Sequence, residues 1–186
     1  PTERVVERPT ATPHLCVTEL LPFDRYRALL HRVDDHHLGG SWSDVEAAIR
    51  AVTGLARREL GLAHFSVDGV AATLTVHRDD GVSHTARLGT PGPGTRRVDF
   101  VYTFSPDPGA FEGGQLRLFD TEDRDGSRCA AASFTSIDPV DNAVVLFPSN
   151  APHDVVPLTP RREGAVRYTL DGWLTGDPVS VQAGRH

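Results

Sequence analysis

Phe147-Pro-Ser-Asn-Ala-Pro-His153-Asp-Val-Val-Pro-Leu-Thr-Pro-Arg-Arg-Glu-Gly-Ala-Val-Arg167-Tyr-Thr-Leu-Asp-Gly-Trp173 is the stretch on which the reading of this chain turns. It begins at the end of an apolar run, passes a Pro-Ser turn to His153, and resumes as a second apolar run carrying Arg167 and ending in Gly-Trp. A neutral imidazole is a good ligand for Fe(II), and a guanidinium fork grips a carboxylate with two parallel bonds. Set on neighbouring strands, the two suit a metal held together with a small dicarboxylate. Thr169 is two residues beyond Arg167, so on a strand its hydroxyl shares the same face.

Upstream, short β-branched runs alternate with Gly, Pro, Asp and Asn clusters. Candidate strands cover Ala71–His77, Val82–Leu88, Val98–Phe104, Gln115–Phe119, Ala131–Thr135, Ala143–Phe147, Asp154–Leu158 and Val166–Trp173. Many short strands at this spacing predict a mainly β sandwich or barrel. Gly89–Thr95 and Thr121–Ser127 read as loops. Before residue 61 the pattern is helical. Pro22 suits the first turn of a helix over about 22–34, with Phe23, Tyr26, Leu29 and Leu30 on its apolar face. Ser43-Asp-Val-Glu46 has the form of a capping box. Behind it Val45, Ile49, Val52, Leu55, Ala56 and Leu60 recur at helical spacing until Gly61.

The bulk properties narrow the classes. At 186 residues the chain is long enough for one domain with a substantial core. A net charge of −6 argues against nucleic acid or an anionic membrane as the main partner. No apolar run approaches the roughly 20 residues that span a bilayer, and residues 1–8 have no signal-peptide character. Cys16 and Cys129 are too few for a disulfide framework and match no zinc spacing. The expectation is a cytoplasmic protein. Residues 1–60 form an arm and helices that buttress the core, 61–176 form the core, and 177–186 are a tail.

Phe100-Val-Tyr-Thr-Phe104, Phe111-Glu-Gly-Gly-Gln-Leu-Arg-Leu-Phe-Asp120 and the His153–Trp173 stretch occur in an order that resembles the prolyl-4-hydroxylase-like branch of the Fe(II)/2-oxoglutarate oxygenases. The resemblance covers roughly residues 60–174. It implies a double-stranded β-helix, or jelly roll, with the N-terminal helices packed on one sheet. It implies Fe(II), 2-oxoglutarate and O2 as cofactors, and a small-molecule or peptide substrate. It makes His153 a metal ligand. It pairs Arg167, helped by Thr169, with the distal carboxylate of 2-oxoglutarate. His77 and Thr103 fall at positions that line the cosubstrate pocket in relatives, and Gly113-Gly114 where backbone passes close to the cosubstrate.

The rest of the metal site has two readings. The family holds iron with His-x-Asp on one strand and a distal His on another. His77-Arg-Asp79 matches that motif literally, giving His77, Asp79 and His153. The register from Leu60-Gly61 through Phe65 to Leu74-Thr-Val-His77-Arg-Asp-Asp-Gly81 resembles small bacterial members in which the ligand comes after the turn. It favours His84-Thr-Ala86, with His84 and His153 as metal ligands and Ala86 where a carboxylate belongs. A His-x-Ala pattern resembles the iron/2-oxoglutarate halogenases, where chloride occupies the vacated position and ends on the substrate carbon in place of hydroxyl. Two rival classes remain: a non-catalytic jelly-roll binding domain with a degenerate site, supported by Ala86, and a cupin-type metal protein. His14, His31, His36, His37, His64 and His186 lack any comparable context.

Overall fold

In the computed structural model the described residues are 10–33, 37–38, 40–62, 65–81, 83–124 and 127–178. The arm before Thr10, His36, His64 and the tail from residue 179 lie outside them. A short strand β1 (Leu15–Val17) precedes two helices, α1 (Phe23–Arg32) and α2 (Trp42–Glu59). Ten strands follow: β2 (Phe65–Arg78), β3 (Ser83–Thr90), β4 (Arg96–Phe104), β5 (Phe111–Glu112), β6 (Leu116–Arg124), β7 (Ser127–Ile137), β8 (Ala143–Pro148), β9 (His153–Val155), β10 (Thr159–Pro160) and β11 (Val166–Pro178). Six form an antiparallel sheet in the order β1-β8-β4-β11-β2-β3, and β7-β6-β9 and β10-β5 make the smaller sheets. This is a jelly roll with helices on the outside of its large sheet.

Strict alternation on the large sheet builds the two sides. Val70, Ala72, Leu74 and Val76 of β2 pair with Leu174, Gly172, Leu170 and Tyr168 of β11. These meet Val98, Phe100, Tyr102 and Phe104 of β4. The row packs with Leu29 of α1 and with Val45, Ile49 and Ala56 of α2 in one apolar core. Tyr102, Phe104 and Tyr168 stack in sequence, with ring centroids 5.2 and 5.0 Å apart. Gly172 has a steric reason here: a Cβ on it would stand 2.2 Å from the Phe100 ring and 2.5 Å from the Ala71 carbonyl. The other face of the sheet turns toward β6 and β9, where Leu116, Leu118, Val145, Phe147 and Ala151 form a second, smaller core.

Three local expectations are corrected. Helix α2 starts at Trp42 and not behind a Ser43 capping box; Ser41 holds the N-cap position without a side-chain bond. The two extra residues place Trp42 against the helix-side core. Within the stretch expected as a loop, Thr121 to Arg124 and Ser127 are strand. Thr121 to Arg124 pair with Ala130 to Ser127, past an irregularity between Phe119 and Thr121. Opposite charges meet across this polar arm at Asp123 and Arg128, which compensates for its lack of apolar side chains. Strand β11 also runs past Gly176 to pair Asp177 with Ser66 and Pro178 with Phe65.

Candidate active site

The face of the large sheet that turns away from the helices carries polar side chains. Arg167, Thr169 and Asp171 alternate along β11, opposite His77, Thr75 and Thr73 of β2. Thr169 and Asp171 also lie opposite Thr103 and Val101 of β4. Together with Phe111, Gly114, Leu116, Val155 and Leu158, these side chains enclose most of a cavity of about 380 Å³. All four residues assigned to the cosubstrate, His77, Thr103, Arg167 and Thr169, line it.

Arg167 is 6 % exposed, and its Nε has no hydrogen-bond partner. Burial pushes its pKa down, which measures how poorly the surroundings solvate the cation. Among the described residues no carboxylate forms an ion pair with it. A desolvated guanidinium at a cavity wall, with the Asp141 charge acting on it but no ion pair, is suited to receive an anion. The backbone at Gly114 (φ +77°) comes so close that a Cβ there would stand 3.0 Å from Arg167 Nη1. The Gly-Gly pair therefore opens room beside the guanidinium.

His77 lies opposite Arg167 across the β2–β11 pair. Burial, helped by the Arg167 charge, pushes its pKa down, so the ring is neutral. Its Nε2 is 3.3 Å from the Thr169 hydroxyl and its Nδ1 is 3.5 Å from the Ser83 hydroxyl. Both ring nitrogens thus face hydroxyl groups, beside a cation.

His153 comes from the other wall. It pairs with Leu118 of β6, and its ring stands edge-on to Phe147 at a centroid distance of 4.8 Å. Nδ1 is 2.9 Å from the Ala151 carbonyl oxygen. A carbonyl only accepts, so Nδ1 carries the proton and the Nε2 lone pair is left for a metal. On the outer side of the same strand, Arg117 holds Asp154 with two bonds of 2.7 Å, fixing β9 to β6.

The two sequence readings of the first metal ligand fare differently from His153. His84 pairs with Val76 and Ala86 with Leu74, so both stand on the helix side of the sheet, and Ala86 packs against the main core. Neither faces the cavity. The cause is parity. His77 pairs with Ser83 across the Asp79–Gly81 turn, and a one-residue slip in a hairpin exchanges the two faces. In the literal motif His77 does face the cavity, but Asp79 lies beyond the end of β2 and accepts a 2.5 Å bond from the Gly164 N–H. His77 is also at the Arg167 level of the sheet, four residues from the Asp171 level, or roughly 13 Å along a strand. No group of three or more His, Cys, Asp or Glu side chains is placed for a metal among the described residues.

Asp171 escaped the sequence reading, although parity from Arg167 and Thr169 puts it on their face. It reaches solvent through the cavity mouth, yet the surrounding protein desolvates it enough to push its pKa up, against the opposing pull of His153 and the Thr169 hydroxyl.

Residues 62–175 match the family model of the 2OG-Fe(II) oxygenase superfamily. The chain belongs to that superfamily. It is 33% identical over 120 residues to an uncharacterized PKHD-type hydroxylase of Synechocystis, a match spanning 62% of this chain but only 39% of that relative. Among solved structures it is similar to a Pseudomonas putida prolyl-4-hydroxylase, with a TM-score of 0.52 and 19% identity, covering 88% of this chain and 92% of that one. It is also similar to a Trichoplax adhaerens prolyl hydroxylase solved in complex with a hypoxia inducible factor peptide fragment, with a TM-score of 0.56 and 14% identity, covering 88% and 84%. At these identities the solved structures establish the shared fold. The superfamily implies Fe(II), 2-oxoglutarate and O2. The donors present fit part of that set: His153 offers an oriented Nε2 lone pair, and Arg167 a buried guanidinium whose Nε lacks a partner.

Proposed function

We propose that the chain is an Fe(II)/2-oxoglutarate oxygenase that hydroxylates an aliphatic C–H bond of a peptide or small molecule. The observation that carries this reading is the buried Arg167, whose Nε is unpartnered in a cavity that His77, Thr103 and Thr169 also line. Arg167 takes the distal carboxylate of 2-oxoglutarate, and the Thr169 hydroxyl adds a bond beside it. Neutral His77 borders the same end without adding charge. His153 holds the metal through Nε2, with Nδ1 locked on the Ala151 carbonyl. Bound iron supplies the oxidising chemistry, using O2 and the cosubstrate. The apolar side chains Val101, Leu116, Val155 and Leu158 line the cavity and keep water from much of its wall.

Hydroxylation is preferred over chlorination because the chlorinating form depends on Ala86 facing the metal, and Ala86 faces the helices. Chloride is accordingly left out of the proposed cofactor set. A peptide substrate is supported by the peptide-bound prolyl hydroxylase of similar fold. The test is iron-dependent conversion of 2-oxoglutarate to succinate, with and without chloride. Turnover is expected in the native protein, indifferent to chloride, lost in His153→Ala, and in Arg167→Ala restored only at about ten-fold higher 2-oxoglutarate or more. Turnover that survives His153→Ala, or a product carrying chlorine, would overturn the reading.

A further inference from the structure

His153 stands across the roll from the large sheet with its Nε2 lone pair open, and a metal there needs a carboxylate as well. Among the described lining residues Asp171 is the sole carboxylate. The other acid on this face of β4, Asp99, is committed elsewhere. It is 3 % exposed, is gripped by the Arg96 guanidinium, with Nε 2.6 Å from Oδ1, and accepts a 2.6 Å bond from the Ser149 hydroxyl. Among the described residues no cation forms an ion pair with Asp171.

Contacts across the roll place Asp171 toward His153. Asp171 lies opposite Val101, which packs on the small core of Leu116, Leu118 and Phe147. His153 sits on two members of that same core, pairing with Leu118 and resting edge-on against the Phe147 ring. The two side chains thus flank one apolar patch from opposite walls. We infer that Asp171 supplies the carboxylate of the metal site, joining His153 from the strand that also carries Arg167 and Thr169. The inference rests on the reading of His153 as a metal ligand.

The arrangement explains three features together. Asp171 is exposed where it lines the cavity and forms no ion pair among the described residues, so its carboxylate is open to a cation. Asp171 lies along the same strand face as the cosubstrate residues, so one strand would carry both the anion grip and a metal ligand. It also removes the need for a carboxylate at position 86 or 79, where neither side chain faces the metal.

The experiment is anaerobic titration of the full chain with Fe(II), and with Co(II) as a spectroscopic probe, without 2-oxoglutarate. It compares the native protein with Asp171→Asn, Asp171→Ala, Asp79→Asn and His153→Ala. Asp171→Asn keeps the shape and removes only the charge, so it is expected to fold, as circular dichroism checks. Both Asp171 variants should weaken metal binding by about ten-fold or more, since even outer-shell losses cost ~10–100-fold. The Co(II) visible spectrum should change with them, whereas Asp79→Asn should match the native protein. If His153→Ala abolishes binding while both Asp171 variants bind and absorb as the native protein does, this inference fails and the His153 reading stands. If His153→Ala itself binds metal normally, the underlying reading fails first.

Discussion

The two faces of the large sheet are built from the same strands and differ in almost every physical respect. Toward the helices, Leu74, Val76, Val98, Phe100, Tyr102, Leu170 and Leu174 are at most 1 % exposed and fill one core. Toward the cavity, the residues between them are Thr75, His77, Val101, Thr103, Arg167, Thr169 and Asp171. The first face contributes stability by burying apolar surface. The second keeps charged and hydroxylic groups partly desolvated and incompletely paired, which opposes folding and makes sense where ligands complete the pairing.

That contrast can be broken most severely on the helix side. Leu74→Ala should destabilise the protein by about 2–5 kcal/mol, whereas Thr75→Ala, the next residue on the opposite face, should cost less than about 1 kcal/mol. Urea denaturation of the two variants checks this, and equal losses would erase the distinction. Gly172→Ala, which drives a methyl into the Phe100 ring, should cost about 1–3 kcal/mol. Adding Phe100→Leu should recover part of that loss.

The cavity face should respond in the opposite sense. Arg167→Met removes a buried unpaired cation and is expected to raise the stability of the ligand-free protein by about 1–3 kcal/mol while abolishing cosubstrate-linked stabilisation. A lower melting temperature without ligand would mean that Arg167 is structurally paired. The smallest effect concerns His77, whose folded-state pKa is depressed. As pH falls below about 6.5, the unfolded chain takes up a proton that folded His77 resists, so stability declines with falling pH. His77→Gln should flatten that decline between about pH 7 and pH 5 relative to the native protein. An identical slope in both would show that His77 titrates normally.

Much of this was legible from sequence. Alternation and turn chemistry located the strands, and the His153–Trp173 stretch pointed to Arg167 and Thr169, which line the cavity, and to His153 on the facing strand β9. What failed depended on a single residue of register. Whether His84 or Ser83 faces the cavity is decided by how the Asp79–Gly81 turn closes, and Leu74 and Val76 choose Ala86 and His84 as their neighbours. Asp171 was hidden differently. Between Leu170 and Gly172 it reads as an exposed strand charge, and only its pairing with Val101, beside the apolar patch that His153 also touches, gives it another meaning. The polar arm of β6 and β7 lacked the apolar alternation that marks a strand, because cross-strand polar pairs hold it instead.

The central claim is that the cavity face holds 2-oxoglutarate through Arg167 on a metal anchored by His153. Anaerobic titration of the iron-loaded protein with 2-oxoglutarate, followed by the visible iron–cosubstrate band, tests it directly. The native protein should develop a saturable band. Arg167→Ala should require about ten-fold more 2-oxoglutarate or greater, as expected for loss of a charge-assisted bidentate bond, and His153→Ala should develop no band. Saturation of Arg167→Ala at the native concentration would contradict the account.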